Sequence, residues 1–73
     1  MPIVSITLIP GLSREQKDKI AKKITEILAE EEKKTFKVDT TAITAVVFTE
    51  LPMDNIYLGT NRLEKVIETL PKT

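Results

Sequence analysis

Seventy-three residues carrying eleven basic and eleven acidic side chains, with no cysteine and no histidine, exclude disulfide and imidazole chemistry and leave no net charge with which to hold a polyanion. One tyrosine and two phenylalanines are too few for a base-stacking surface, and no apolar run approaches the ~20 residues that span a bilayer. A chain this short buries only about 60% of the surface its unfolded form exposes, so the staple it needs is expected to come from further copies of itself.

Ile3 to Ile9 alternates, with Val4, Ile6 and Leu8 on one side and Ile3, Ser5, Thr7 and Ile9 on the other, and predicts a strand that Pro10-Gly11 breaks. Ser13-Arg14-Glu15-Gln16 is a capping box with Leu12 at the preceding staple position. The helix it opens carries Ile20, Ala21, Ile24, Ile27 and Leu28 on one face, with Glu15–Lys19, Asp18–Lys22 and Glu30–Lys34 in the favourable order for ion pairs. Glu30 to Lys34 reads as the solvated end of that helix, and Thr35 to Thr41 as a connection whose Phe36 and Val38 pack back on it.

Ala42 to Thr49 is β-branched and apolar on both faces, Ile43, Ala45 and Val47 on one and Val46 and Phe48 on the other, which predicts a strand covered on both sides. One helix covers one face; the other must meet something outside the chain. A short extended piece at Ile56-Tyr57-Leu58 follows, then a helix marked by Leu63, Val66, Ile67 and Leu70, capped by Asn61 with Glu64 and ended by Pro71. Two strands joined by a long helix are parallel with a right-handed crossover. The expected fold is therefore a single α+β domain over 1–73: a βαβ unit with a short extended piece and a short C-terminal helix, its sheet completed by oligomerisation.

Few groups here carry chemistry. Gly11 and Gly59 stand alone, so there is no phosphate loop. Glu50 and Asp54 are near enough in sequence to weigh as an acid–base pair, although two acids in a turn are ordinary. Ser13 and Arg14 could meet an anion at the helix N-terminus, where a cap and a solvated side chain are the plainer reading. Pro2 remains. Removal of Met1 would expose a secondary amine; an α-amino group titrates near ~8, and desolvation or a nearby cation disfavours its charged form. Such an amine takes and returns a proton near neutrality.

Pro2-Ile3-Val4-Ser5-Ile6-Thr7-Leu8 followed by Gly11-x-Ser13-x-Glu15-Gln16-Lys17, with Thr49-Glu50 and Asp54-Asn55-Ile56-Tyr57-Leu58-Gly59 beyond, resembles the 4-oxalocrotonate tautomerases over nearly the whole chain. The resemblance implies an isomerase whose proline nitrogen moves a proton on an enol or unsaturated 2-keto acid, in hexamers (or trimers or dimers) with active sites between subunits. It also implies arginines that hold the substrate, and here the chain departs: their places fall at Leu12 and Ala45. Ile56 stands where an aromatic wall is usual, with Tyr57 and Thr60 in place of glycines. Arg14 and Arg62 are the only arginines in the chain. The candidate catalytic residue is thus Pro2, with Leu12, Arg14, Ala45, Ile56, Tyr57 and Arg62 as substrate-binding candidates.

Without both arginines a dicarboxylate is poorly served, and a less anionic substrate is expected. The alternative is an oligomeric relative that has lost catalysis or binds a small ligand; hydration or dehalogenation with the same proline is a third course. No metal and no cofactor is expected, and no nucleic-acid or membrane partner. The start of the chain lacks the basic segment of a signal peptide, so the cytoplasm is the expected location.

Overall fold

In a computed structural model, residues 2–72 are described. Strand β1 (Ile3–Leu8) runs into helix α1 (Arg14–Phe36), which returns the chain to strand β2 (Ala45–Glu50). The two strands pair in parallel, from Ile3 opposite Ala45 to Leu8 opposite Glu50, as a crossover helix requires. This is the expected α+β βαβ fold. A second part follows: β3 (Tyr57–Leu58), β4 (Asn61–Arg62) and helix α2 (Leu63–Glu68).

α1 begins where its capping box says it should. Ser13 Oγ accepts from Gln16 N–H at 3.1 Å, and Gln16 Oε1 accepts from Ser13 N–H at 2.8 Å. Ser13→Ala removes one of these bonds and should cost about 1 kcal/mol, read as a lower urea midpoint at fixed subunit concentration. The other end stops less comfortably. Lys37 caps α1 in the left-handed conformation, φ 61° and ψ 26°, donating its N–H to Lys33 O. A side chain there costs roughly 1 kcal/mol that glycine avoids. Lys37→Gly should therefore stabilise the fold by about that amount, read as a higher urea midpoint; a fall would mean that the Lys37 Nζ bond to Lys34 O outweighs the backbone term.

Val4, Ile6 and Leu8 of β1 and Val46 and Phe48 of β2 are half-buried beneath α1, whose inward stripe is Lys17, Ile20, Ala21, Ile24, Thr25, Leu28, Ala29 and Glu32. Ile27 is not in it: it lies 66% exposed, one step outside Ile20 at the rim of the stripe. Lys17 Nζ reaches Glu50 at 3.2 Å and clips the first turns of α1 to the end of β2. The expected helix pairs do not form among the described residues; Lys22 meets Glu26 and Lys34 meets Glu31 instead.

Three expected boundaries shift for local reasons. Ala42 and Ile43 leave the second strand for a 3₁₀ turn, Thr41–Ile43. Asp39 fixes that turn by accepting from both the N–H and the hydroxyl of Thr41, bonds that also hold its carboxyl below the usual carboxylate range. Phe36 and Val38 do not pack back but stand exposed. The reason is length: α1 runs about 34 Å, whereas its six-residue strands run about 20 Å, so the last helical turns have no sheet beneath them. Asn61 is a strand residue and no cap; Arg62 occupies the N-cap of α2 without a side-chain bond. That helix ends at Glu68 and not Leu70, where the Thr69 hydroxyl turns back onto Val66 O and Pro71 disfavours helical geometry at Leu70.

β3 and β4 form an antiparallel hairpin, Tyr57 opposite Arg62 and Leu58 opposite Asn61. Its two-residue turn places Gly59 at φ +65°, a conformation that favours glycine. The hairpin, α2 and a 3₁₀ turn at Met53–Asn55 pack on one another and scarcely on the βαβ unit.

The chain does not close on itself. Ala29 and Thr40 are the only buried residues described, and no large side chain is fully buried. The radius of gyration is 16.3 Å, against about 11 Å for a compact chain of this length. The accessible surface is 6073 Å², about 1,500 Å² more than a compact monomer of 8.2 kDa exposes. One partner in a standard interface contributes about 800 Å². A two-stranded sheet with an open face and this surplus is compatible with oligomerisation.

Candidate active site

Pro2 heads β1, half-buried. Its carbonyl accepts from Ala45 N–H at 2.9 Å, extending the ladder one step beyond the Ile3–Ala45 pair. The ring fixes φ and the ladder fixes the carbonyl, so the nitrogen sits on a held frame. Its immediate neighbours across the sheet are uncharged. Ala45 offers a methyl group, and the Thr44 hydroxyl is committed to Thr40 O at 2.8 Å. The expected removal of Met1 concerns a residue outside those described.

At the other end of the sheet, Leu51 N–H donates to Leu8 O at 2.8 Å and sends the chain into the C-terminal segment. Ile56, Tyr57 and Arg62 come together there, in a cleft of about 370 Å³ completed by Met53, Asp54 and Glu64. The cross-strand pair sets Tyr57 beside Arg62, and Leu63 N–H donates to Ile56 O at 3.1 Å. Met53 and Glu64 were not foreseen as lining residues. The signal was the hairpin itself: Gly59-Thr60 between short β-prone pieces, which brings both its flanks to one wall.

The seven sequence candidates thus divide between two places. Pro2 and Ala45 share one end of the sheet. Ile56, Tyr57 and Arg62 share the cleft beyond the opposite end. Leu12 is half-buried and Arg14 exposed in the approach to α1 and its first turn, beyond the end of β1 away from Pro2. With strands about 20 Å long between them, one chain does not unite its own Pro2 with its own cleft. Glu50 and Asp54 are not a pair either: Glu50 is taken by Lys17, and Asp54 lines the cleft.

Among the described residues no three acidic groups gather as a metal cage, and no helix is long and apolar enough to cross a membrane.

Residues 2–66 match the sequence model of the Tautomerase family, described as tautomerase enzyme. The chain belongs to the tautomerase family. The match takes in both strands, α1, the cleft hairpin and Pro2. No curated protein and no solved structure matches it. Within this tautomerase framework the uncharged neighbours of Pro2 and the single arginine of the cleft are the features that bear on chemistry.

Proposed function

We propose that the chain is a tautomerase of the 4-oxalocrotonate type, a single domain acting as a homo-oligomer, a hexamer by family resemblance, in the cytoplasm. Its Pro2 amine, freed of Met1, is the general base that converts an enol of a 2-keto acid to the ketone. The neutral nitrogen takes the enol hydroxyl proton. The C=C electron pair moves to carbon as the C–O bond becomes a carbonyl, and the ammonium returns its proton to that carbon. No atom is gained or lost. A neutral amine is needed at the start, and apolar surroundings disfavour the ammonium form.

The observation that carries this reading is the placement of Pro2: half-buried, its carbonyl held by Ala45 N–H, and with the uncharged Thr44 and Ala45 across from it at the start of β2. The family match, which opens on Pro2, supports it. A second reading has its own support. Leu12 and Ala45 stand where the 4-oxalocrotonate pattern has arginines, as a relative that binds a small ligand without turning it over would allow. One assay separates the two: ketonisation of an aryl enolpyruvate by the wild type beside Pro2→Ala, with loss of Met1 checked by mass. A Pro2-dependent rate supports the isomerase; no rate above buffer supports the ligand-binding relative.

A further inference from the structure

We infer that Glu32 and Thr40 are positioning residues for Pro2: their contact anchors the connection between α1 and β2, and through it the backbone N–H that holds the Pro2 carbonyl. The catalytic consequence rests on the reading of Pro2 as the base; the anchor stands on the hydrogen bonds.

Thr40 is the one buried polar residue described, 8% exposed, although 33–39 before it and 41–43 after it are exposed. A hydroxyl taken out of water needs a partner. This one donates to Glu32 Oε1 at 2.6 Å, the short distance of a bond to a carboxylate. Glu32 is half-buried on the inward stripe of α1 and, among the described residues, is in no salt bridge. The bond spans eight residues. The other side-chain bonds described within the connection span two to four and cannot tie it to the body of the helix.

Thr40 in turn holds the approach to Pro2. Its carbonyl accepts twice, from Ile43 N–H at 3.1 Å and from the Thr44 hydroxyl at 2.8 Å. Those bonds close the 3₁₀ turn and fix Thr44, and the very next residue, Ala45, donates its N–H to Pro2 O at 2.9 Å. Packing does not fix this stretch, since Val38 is 56% and Ile43 50% exposed. Hydrogen bonds do so in its place. The far end of the sheet is held independently, by Leu51 N–H on Leu8 O and by Lys17 on Glu50. Each end of the β1–β2 pair thus has its own anchor, and the one at Pro2 runs back to Glu32.

An amine that moves a proton gains from a fixed distance and angle to the reacting atoms. Cutting the Thr40 hydroxyl slackens the frame of Pro2 and slows chemistry without changing the groups that meet the substrate.

Hydrogen exchange and kinetics on the full chain test this. Thr40→Val removes the hydroxyl at nearly constant shape, Thr40→Ser returns it, and Thr44→Val makes a second cut at the bond to Thr40 O. In Thr40→Val the Ala45 amide should exchange about 10-fold faster while Leu51 stays within about 2-fold of wild type; Thr40→Ser should restore Ala45. The Pro2-dependent kcat for aryl enolpyruvate should fall about 10-fold in Thr40→Val at unchanged KM, and recover in Thr40→Ser. Thr44→Val should move Ala45 exchange and kcat in the same direction, and it decides the matter if Thr40→Val does not fold. Ser13→Ala, which loosens the other end of α1, should keep its kcat. Unchanged exchange at Ala45, or equal acceleration at Ala45 and Leu51, overturns the anchor. Selective loosening at Ala45 with kcat unchanged overturns the positioning role and leaves the proposed reaction standing. The absence of any Pro2-dependent rate in the wild type overturns the reaction and the positioning role together, and the exchange then judges the anchor alone.

Discussion

Alanine at position 2 should lower kcat/KM for aryl enolpyruvate ketonisation at least ~100-fold, the lower end of what a positioned acid–base group contributes. The substitution leaves an amine at the same chain position once Met1 is gone, so it tests geometry as well as basicity. Proline holds its nitrogen by a ring and by the bond from Ala45 N–H to its carbonyl; alanine keeps the second restraint and loses the first. A companion protein that retains Met1 should be equally inactive, because the Pro2 nitrogen is then a tertiary amide without a basic lone pair. The wild-type rate should climb with pH as the amine gives up its proton. A Pro2→Ala rate within a few-fold of wild type, with Met1 shown by mass to be absent from both, would remove Pro2 from the mechanism.

The second large effect is expected far from that nitrogen, on the open side of the sheet. Ile3, Ser5, Thr7, Val47 and Thr49 are all exposed there in the single chain, Val47 at 45%. If another copy covers this face, Val47→Lys buries an unpaired ammonium at a cost of several kcal/mol. Sedimentation should then show the assembly falling apart into chains that unfold at lower urea. A Val47→Lys protein of unchanged mass and stability would show that this face stays in water, and the surplus surface would have to be covered elsewhere.

Much of this architecture is legible in the sequence because local and global preferences agree. The alternation of β1, the Ser13–Gln16 box and the two-sided apolar run of β2 each specify one element, and their order specifies a parallel pair. The failures have particular causes. Periodicity placed Ile27 on the buried stripe because it cannot say how wide the sheet beneath the helix is. Phe36 and Val38 were expected to fold back because hydropathy marks residues that want cover without saying whose cover it is. Asn61 looked like a cap because cap and turn chemistry share residue types; the hairpin pairing that makes it a strand is a matter of two-residue turn geometry at Gly59. The candidate site was half legible for a related reason. Residue types named Pro2, Tyr57 and Arg62, but only topology separates them to opposite ends of the sheet. Asp54 and Glu64, which decide the charge of the cleft, carry no motif.

The mixed character of the open sheet face bears on how the chain fares before it meets a partner. Its outward row alternates hydroxyls with apolar groups, Ser5 and Thr7 of β1 and Thr49 of β2 among Ile3, Ala45 and Val47. In a lone, newly made chain those hydroxyls keep water on the sheet and weaken indiscriminate sticking of the kind that exposed strands invite. Where another copy covers this face, as proposed, its association is selective and second order. The rate of acquiring the final fold should depend on protein concentration, and a burst of dilute synthesis should yield slow maturation without aggregation.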